Sequence, residues 1–269
     1  VALPSGAHLD VSSFGEDYGE RFFATDGVAR LERWLSEHES ACQPLGSNER
    51  LGPCIERPCK IVGIGRNYRA HAAEVGGEVP AEPILFMKAP SALSGPYDDV
   101  LLPPGSTHTD WEVELAVVIG RAARHVAVAH ALEYVAGYAL FNDYSERSFQ
   151  RDRGGQWTKG KSADSFAPIG PYLVTDGVDP ARVELWLAVN GVERQRASTS
   201  QMIFDVRALV AYVSEFMTLL PGDVIATGTP DGVGSAQKPP VFLQPGDAVE
   251  YGASGLGSAR QRVVAGERR

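Results

Sequence analysis

From Lys60 onward the chain is built of short apolar, β-branched runs separated by glycine and proline. Runs of that length between turn formers predict strands. The clearest are KIVGIG (60–65), AVVIG (116–120), GYALFND (137–143), LWLAV (185–189) and DVIATGT (223–229). Asn190-Gly191 stands between LWLAV and VERQRAS. It predicts a hairpin, because both central residues of a type I′ turn need positive φ. Helical spacing is clearest in two stretches. In DGVARLERWLSEHES (26–40) Val28, Leu31, Trp34 and Leu35 share one stripe, with Asp26 as the cap candidate. Val206, Leu209, Val210, Val213, Phe216 and Met217 form the second, which Leu220-Pro221-Gly222 ends. Pro-Gly-Asp at 221–223 and again at 245–247 predicts two turns, each before a strand. The turn-rich stretch ACQPLGSNERLGPCIERPC (41–59) reads as a linker. The pattern therefore predicts an α+β, β-rich chain, with a small N-terminal region at 1–59 and a larger domain at 60–269.

Composition narrows the function classes. Acidic residues number 34 against 25 basic ones, a net charge of −9, and no Lys/Arg run is present. A nucleic-acid or anionic-membrane partner is therefore not expected, and an acidic substrate would need a local cation. No apolar stretch approaches the roughly 18 to 20 residues that span a bilayer. The opening VALPSGAHLDVSSFGEDYGE has no charged segment followed by an apolar one, so the expectation is a soluble, cytoplasmic chain. Cys42, Cys54 and Cys59 form no C-x-x-C pair and predict reduced, packed thiols, not a disulfide framework or zinc site. The 29 glycines and 18 prolines exceed usual usage and favour turns over a helical bundle.

Four segments carry candidate chemistry. In DWEVELAVVIG, Glu112 and Glu114 fall on one face of a strand, about 7 Å apart. They read either as a solvated edge face or as ligands for a hard divalent cation, which takes carboxylate oxygens. Asp143, where GYALFND stops, is a candidate third carboxylate or a turn residue. Arg147, Gln150, Lys159 and Lys161 follow within twenty residues, donors suited to a carboxylate substrate. His71 and Glu74, three apart in GIGRNYRAHAAEVGG, share a face of a short helix. A carboxylate that orients an imidazole makes a general base, although on a surface helix the same pair is a weak ion pair. Asn67 to Val75 gives only about two helical turns, and Gly76-Gly77 a permissive hinge, so this segment is expected to act as a lid. IATGTPDGVG offers backbone N–H groups and the hydroxyls of Thr227 and Thr229 as an anion cradle, without a P-loop lysine.

Taken in order, GRNYRAHAAE, PILFMKAP, DWEVELAVVIGR, FNDYSERSFQ, GKSADSFAPIGPYLV, VNGVERQ and PGDVIATGTPDGVG resemble the fumarylacetoacetate hydrolase family over roughly residues 60 to 265. The resemblance implies a mixed β-sandwich roll, a homodimer, and Mg²⁺ or Mn²⁺ on Glu112, Glu114 and Asp143. It further implies Lys161 beside the substrate, Arg147 and Gln150 as polar substrate contacts, Thr229 as a carboxylate-binding residue, and His71 with Glu74 as the pair that activates water. The expected activity is cleavage of the C3–C4 bond of a 2,4-diketo acid to pyruvate and a second acid. Glu146-Arg147-Ser148, where the commoner pattern has Ala-Arg-Asp, resembles a branch acting on 2,4-diketo-3-deoxy sugar acids such as rhamnonate and fuconate derivatives, which would release lactate. RGGQWTKGKS and GSAQKPPVFLQPGD accompany that departure. Acylpyruvate or fumarylpyruvate hydrolysis, isomerisation or decarboxylation of a 2-hydroxy-dienedioate, and a non-enzymatic ligand-binding scaffold are the alternatives.

Overall fold

The computed structural model describes residues 1–3, 6–46 and 49–267, so Ser47 and Asn48 of the turn-rich stretch lie outside the described residues. One five-stranded sheet contains β1 (Ile61–Gly65), β2 (Ile84–Lys88), β4 (Val113–Ile119), β5 (Val135–Asn142) and β8 (Val224–Ala226) in the order β2-β1-β8-β4-β5. The other contains β3 (Val100–Leu102), β6 (Glu184–Val189), β7 (Val192–Ser198), β9 (Ala248–Ala253) and β10 (Gly257–Ala265) in the order β7-β6-β9-β10-β3. Each sheet is mixed: β1 runs parallel to β8, and β10 parallel to β3, while the other neighbours are antiparallel. The sheets pack through β4 against β6 and β9.

That packing explains why VELAVVI reads as a nearly continuous apolar run. β4 lies inside its sheet and every residue of it is buried, so alternation toward water is absent. The reading of Glu112 and Glu114 as a solvated edge face is thereby overturned. Turn chemistry matches expectation elsewhere. Asn190 (φ 52°) and Gly191 (φ 75°) join β6 to β7. In both Pro-Gly-Asp turns the aspartate closes the loop on itself: Asp223 Oδ2 accepts from Leu220 N at 2.6 Å and Asp247 Oδ2 from Gln244 N at 2.7 Å.

Two helices pack on the core. α1 (Gly27–His38) places Val28 and Leu31 half-buried on the core, and Trp34 edge-on to Phe14 at 5.7 Å. Asp26 does not cap it. Its backbone is left-handed (φ 52°), and its exposed carboxylate lies 3.6 Å from Arg121 instead. Upstream, Phe22 and Phe23 are buried in the same core as the sheets. α5 (Val206–Phe216) is capped by Asp205, whose carboxylate accepts from Ala208 N at 2.9 Å. It buries Val206, Leu209, Val210 and Val213, but Phe216, expected on that stripe, is 62% exposed. The three cysteines are free; Cys59 is exposed, contrary to the expectation of packed thiols. Among the described residues no helix is long and apolar enough to cross a membrane.

Asn67 anchors the end of β1 to the rest of the domain. Its fully buried side chain donates to Phe204 O (2.9 Å) and Thr227 O (2.8 Å) and accepts from Phe204 N (2.9 Å). Asn67→Ala leaves those backbone groups without partners and is expected to cost about 2–3 kcal/mol of stability, as buried unsatisfied groups do. A urea titration measures this as a lower midpoint at unchanged slope; an unchanged midpoint would contradict it.

Candidate active site

The β4–β5 register assembles the carboxylates. Val113 pairs with Asn142, and one residue beyond, Asp143 N donates to Glu112 O at 2.8 Å while Asn142 Oδ1 accepts from Glu112 N at 2.9 Å. Asp143 is thus held beside Glu112, and Glu114, two residues on, joins them through strand alternation. All three are buried, and one carboxylate oxygen from each lies within 4.8 Å of the others.

Buried cations partly neutralise this cluster. Lys161 Nζ reaches Glu112 Oε2 at 2.6 Å and Asp143 Oδ2 at 2.5 Å, with the Phe86 ring centroid 4.8 Å away. Burial alone would lower its pKa, but Asp143 and Glu112 raise it on balance. Lys161 ends α4 (Thr158–Lys161), and Gly160 lets that helix pack under α3 (Arg147–Arg151): a Cβ there would lie 2.5 Å from Glu146 O. Arg147 contacts Asp110 Oδ2 at 2.8 Å and Glu112 Oε1 at 2.7 Å. Burial works against ionisation of Glu112, yet Lys161 and Arg147 hold its pKa well below the usual carboxylate range. Glu114 fares differently. It accepts from Gly228 N at 2.8 Å, and burial followed by the charges of Asp143 and Glu112 pushes its pKa well up.

The glycine-rich turn proves to be a cradle for the protein's own carboxylates. Gly228 N donates to Glu114, Gly232 N to Glu74 Oε2 at 2.9 Å, and Gly234 N and Ser235 N to the two oxygens of Asp110 at 2.6 and 3.0 Å. Those N–H groups, expected for an external anion, instead orient three side chains of the site. Thr227 donates its hydroxyl to Leu115 O at 2.9 Å. Thr229 donates to Val113 O at 2.9 Å and accepts from Gln195 Nε2 at 2.8 Å, so its hydroxyl proton is not free for a substrate carboxylate.

These groups open into one cavity of about 650 Å³ that includes His71, Glu74, Glu112, Glu114, Arg147, Gln150, Lys161 and Thr229 in its walls. His71 and Glu74 lie on α2 (Arg69–Glu74), with Nδ1 2.8 Å from Glu74 Oε1. His71 is 7% exposed, which sets the pair apart from a surface ion pair. The other Glu74 oxygen is held by Gly232 N, so the carboxylate that orients the imidazole is itself fixed. The α2 segment ends in Gly76 (φ 71°), the turn expected of the hinge. Arg147 donates from Nε to Asp110 Oδ2 (2.8 Å) and from Nη1 to Gln150 Oε1 (3.1 Å), while Nη2, at ion-pair distance from Asp110 and Glu112, has no hydrogen-bond partner among the described residues. Among the described residues the Gln150 amide donor has no protein acceptor. Lys159 bonds to Arg153 O at 2.6 Å and is not in the cavity wall.

The departure at 146–148 does not face the cavity. Buried Glu146 accepts from Ser106, from Thr109 at 3.0 Å and from the Ser148 hydroxyl at 2.6 Å, tying α3 to the 106–109 segment. Neither Glu146 nor Ser148 is in the wall, whereas Trp157 and the 235–238 segment are. Two important residues escape the sequence reading. Lys88, fully buried, bonds to Asp143 Oδ1 and to Tyr144 O at 3.2 Å; burial lowers its pKa to about 8 against the pull of Asp143. Its only signal is a lysine closing the apolar run ILFMK. Asp110 holds Arg147 and the 234–235 turn, and its signal was present: Asp110, Glu112 and Glu114 alternate on one strand face.

The donor set fits a hard divalent cation. Three buried carboxylates converge, and Glu114, facing two like charges with one N–H donor, is stabilised by positive charge placed among them.

The pattern that matches residues 60–264 is the fumarylacetoacetate (FAA) hydrolase C-terminal family, so the chain belongs to the fumarylacetoacetate hydrolase family, a hydrolase-type enzyme family. A Burkholderia cenocepacia protein designated only as a presumed hydrolase is 50% identical over 96% of this chain and 92% of its own length. Among solved structures, the 2-hydroxyhepta-2,4-diene-1,7-dioate isomerase of Mycobacterium marinum shares 39% identity at TM-score 0.72, covering 84% of each chain. The maleylpyruvate hydrolase of Sphingobium sp. SYK-6 shares 31% at TM-score 0.81, covering 99% of this chain and 96% of its own.

Proposed function

We propose that the chain is a Mg²⁺- or Mn²⁺-dependent hydrolase that cleaves the C3–C4 bond of a 2,4-diketo acid, giving pyruvate and a second carboxylic acid. What supports the reading is one cavity whose wall holds Glu112 and Glu114 of the buried carboxylate cluster, with Asp143 behind them, and a His71–Glu74 pair whose carboxylate is locked by Gly232. Glu112, Glu114 and Asp143 would hold the cation, which would supply Lewis acidity for the keto acid head of the substrate. With its Nδ1–H donated to Glu74, His71 offers Nε2 to take a proton from water. The water oxygen bonds to C4, the C3–C4 bond breaks, and its electron pair leaves with C3 as the enolate of pyruvate. The proton taken by His71 returns to C3, which completes pyruvate and restores the neutral imidazole. Lys161 places fixed positive charge where that enolate charge develops, and the free amide of Gln150 is a donor for the carboxylate end.

A second reading is isomerisation of a 2-hydroxy-dienedioate, which proceeds through the same kind of enolate without adding water. The Mycobacterium marinum neighbour, named for that reaction, favours it. Pyruvate release from a panel of acylpyruvates, fumarylpyruvate and a 2,4-diketo-3-deoxy sugar acid, with and without chelator, together with the mass of the product formed from a 2-hydroxy-dienedioate, tests both. Hydrolysis is expected to yield two acids in the presence of cation only. A product of unchanged mass would establish isomerisation, and lactate would identify the sugar-acid branch.

A further inference from the structure

A polar side chain of the other sheet reaches the site from behind. Gln195, on β7, is 1% exposed, and its amide is bonded at both ends. Its Oε1 accepts at 3.0 Å from Val113 N, which lies on β4 between Glu112 and Glu114. Its Nε2 donates to the Thr229 hydroxyl at 2.8 Å and to Pro230 O at 2.9 Å, in the turn that follows β8. A backbone N–H only donates and a carbonyl only accepts, so these partners fix the amide in one orientation. A break in strand register aims it there. Leu187 pairs with Gln195 and Ala188 with Glu193, so Arg194 bulges from β7. Bulges re-aim side chains and recur beside active sites. The turn closes against this one at Gly232, where a Cβ would lie 1.9 Å from Arg194 O. Trp111 Nε1 ties the Gly232 carbonyl at 3.1 Å, while Gly232 N holds Glu74, the partner of His71.

We propose that Gln195 is a positioning residue, which sets the 229–232 turn against β4 and thereby places Glu74, and through it His71, relative to the carboxylate cluster. The proposal rests on the reading of His71 as the base that takes a proton from water. The two halves of the site differ in how firmly they are framed. β4 has strand neighbours on both sides, β8 and β5, so Glu114 is held by its own ladders. His71 and Glu74 lie on α2, six residues long, and a helix that short keeps its place only through outside contacts. The contact that orients Glu74 comes from the turn, and the turn has left the sheet. Pairing of β8 with β4 ends at Ala226, opposite Ala116. Beyond it side chains replace the ladder: Thr229 donates to Val113 O at 2.9 Å, and Gln195 takes Val113 N while gripping Thr229 and Pro230. One amide thus spans the gap between the strand of the metal cluster and the turn of the base pair.

Gln195→Met keeps an unbranched side chain of similar length and removes all three bonds. In glycine-selective ¹⁵N spectra the Gly232 amide should shift and exchange faster, while Gly137 on β5 stays unchanged. With the fastest acid of the panel above, at a temperature where both proteins are folded, kcat should fall about 10²-fold, the loss that a misplacement of about 1 Å produces. KM and the calorimetric affinity for Mn²⁺ should stay within about threefold, since the carboxylate cluster keeps its own frame. In a His71→Ala background the same substitution should cost less than about threefold, because the group it places is gone. A merely structural role would lower both backgrounds alike. Gln195→Asn, one methylene too short to span the gap, should give the same pattern at smaller amplitude and serves if the methionine variant does not fold. An unmoved Gly232 amide, a loss of Mn²⁺ affinity in step with kcat, or equal losses in the two backgrounds would overturn the proposal. A shifted Gly232 amide with His71→Ala as active as the parent would retain the placement of Glu74 and refute the reading of His71 as the base.

Discussion

His71→Ala is expected to lower kcat by roughly 10² to 10⁴-fold, the range spanned by a positioned general base. Oxalate affinity should stay nearly constant. The imidazole is held 2.8 Å from Glu74, and in the proposed mechanism it serves water, whereas a pyruvate-like ligand would sit at the carboxylate and lysine end of the same cavity. A loss confined to kcat marks an interaction made in the transition state alone; a rise in KM at constant kcat would assign His71 to substrate binding. Glu74→Gln keeps the shape but offers one acceptor oxygen where Glu74 uses two, so it cannot accept from both His71 Nδ1–H and Gly232 N, and it removes the charge opposite the imidazolium; a fall in kcat should follow. Amide exchange across residues 66–79 tests the lid separately. Its protection should rise when Mg²⁺ and oxalate are added together, because closure is favoured only by what binds the closed state more tightly. Equal, strong protection in both states would show a fixed helix even with His71 essential.

Glu114→Gln is expected to abolish turnover, by about 10³-fold or more, together with the thermal stabilisation that Mg²⁺ or Mn²⁺ confers. The metal-free variant should be no less stable than the parent. Glu114 is buried beside two other carboxylates, and burial followed by those charges disfavours its ionised form, so the neutral amide relieves a cost while still accepting from Gly228 N. Thermal melts with EDTA and with cation, run on both proteins, separate the two effects. A cation-dependent rise in Tm that survived the substitution, or full activity of the parent after EDTA dialysis, would remove Glu114 from the metal site. A large drop in metal-free Tm would show that the carboxylate stabilises the fold itself.

The sequence by itself determined the local structure and most of the chemistry. Short apolar, β-branched runs, the Asn190-Gly191 turn and the Pro-Gly-Asp turns act through neighbouring residues, and the turns' backbone requirements hold wherever the chain places them. The alternation of Glu112 with Glu114 put two carboxylates on one face without reference to any other element. Only the tertiary structure decided what those residues meet. Sheet order buried β4, which turned a possible solvated pair into a buried cluster, and the β4–β5 register brought Asp143 to it across the ladder. Lys88, from the edge strand β2, reaches Asp143 across 55 positions of sequence, a juxtaposition that no spacing encodes. Asp26 failed as a cap because its backbone turned left-handed, and Glu146 turned to the 106–109 segment and not to the cavity. The N–H groups of the 228–235 turn were legible as anion donors, but their acceptors, Glu74, Glu114 and Asp110, come from other parts of the chain. Period and turn preference are short-range properties of the backbone, whereas the partner of a buried charge depends on which distant segment packs against it, and that is fixed only when the sheets close on each other.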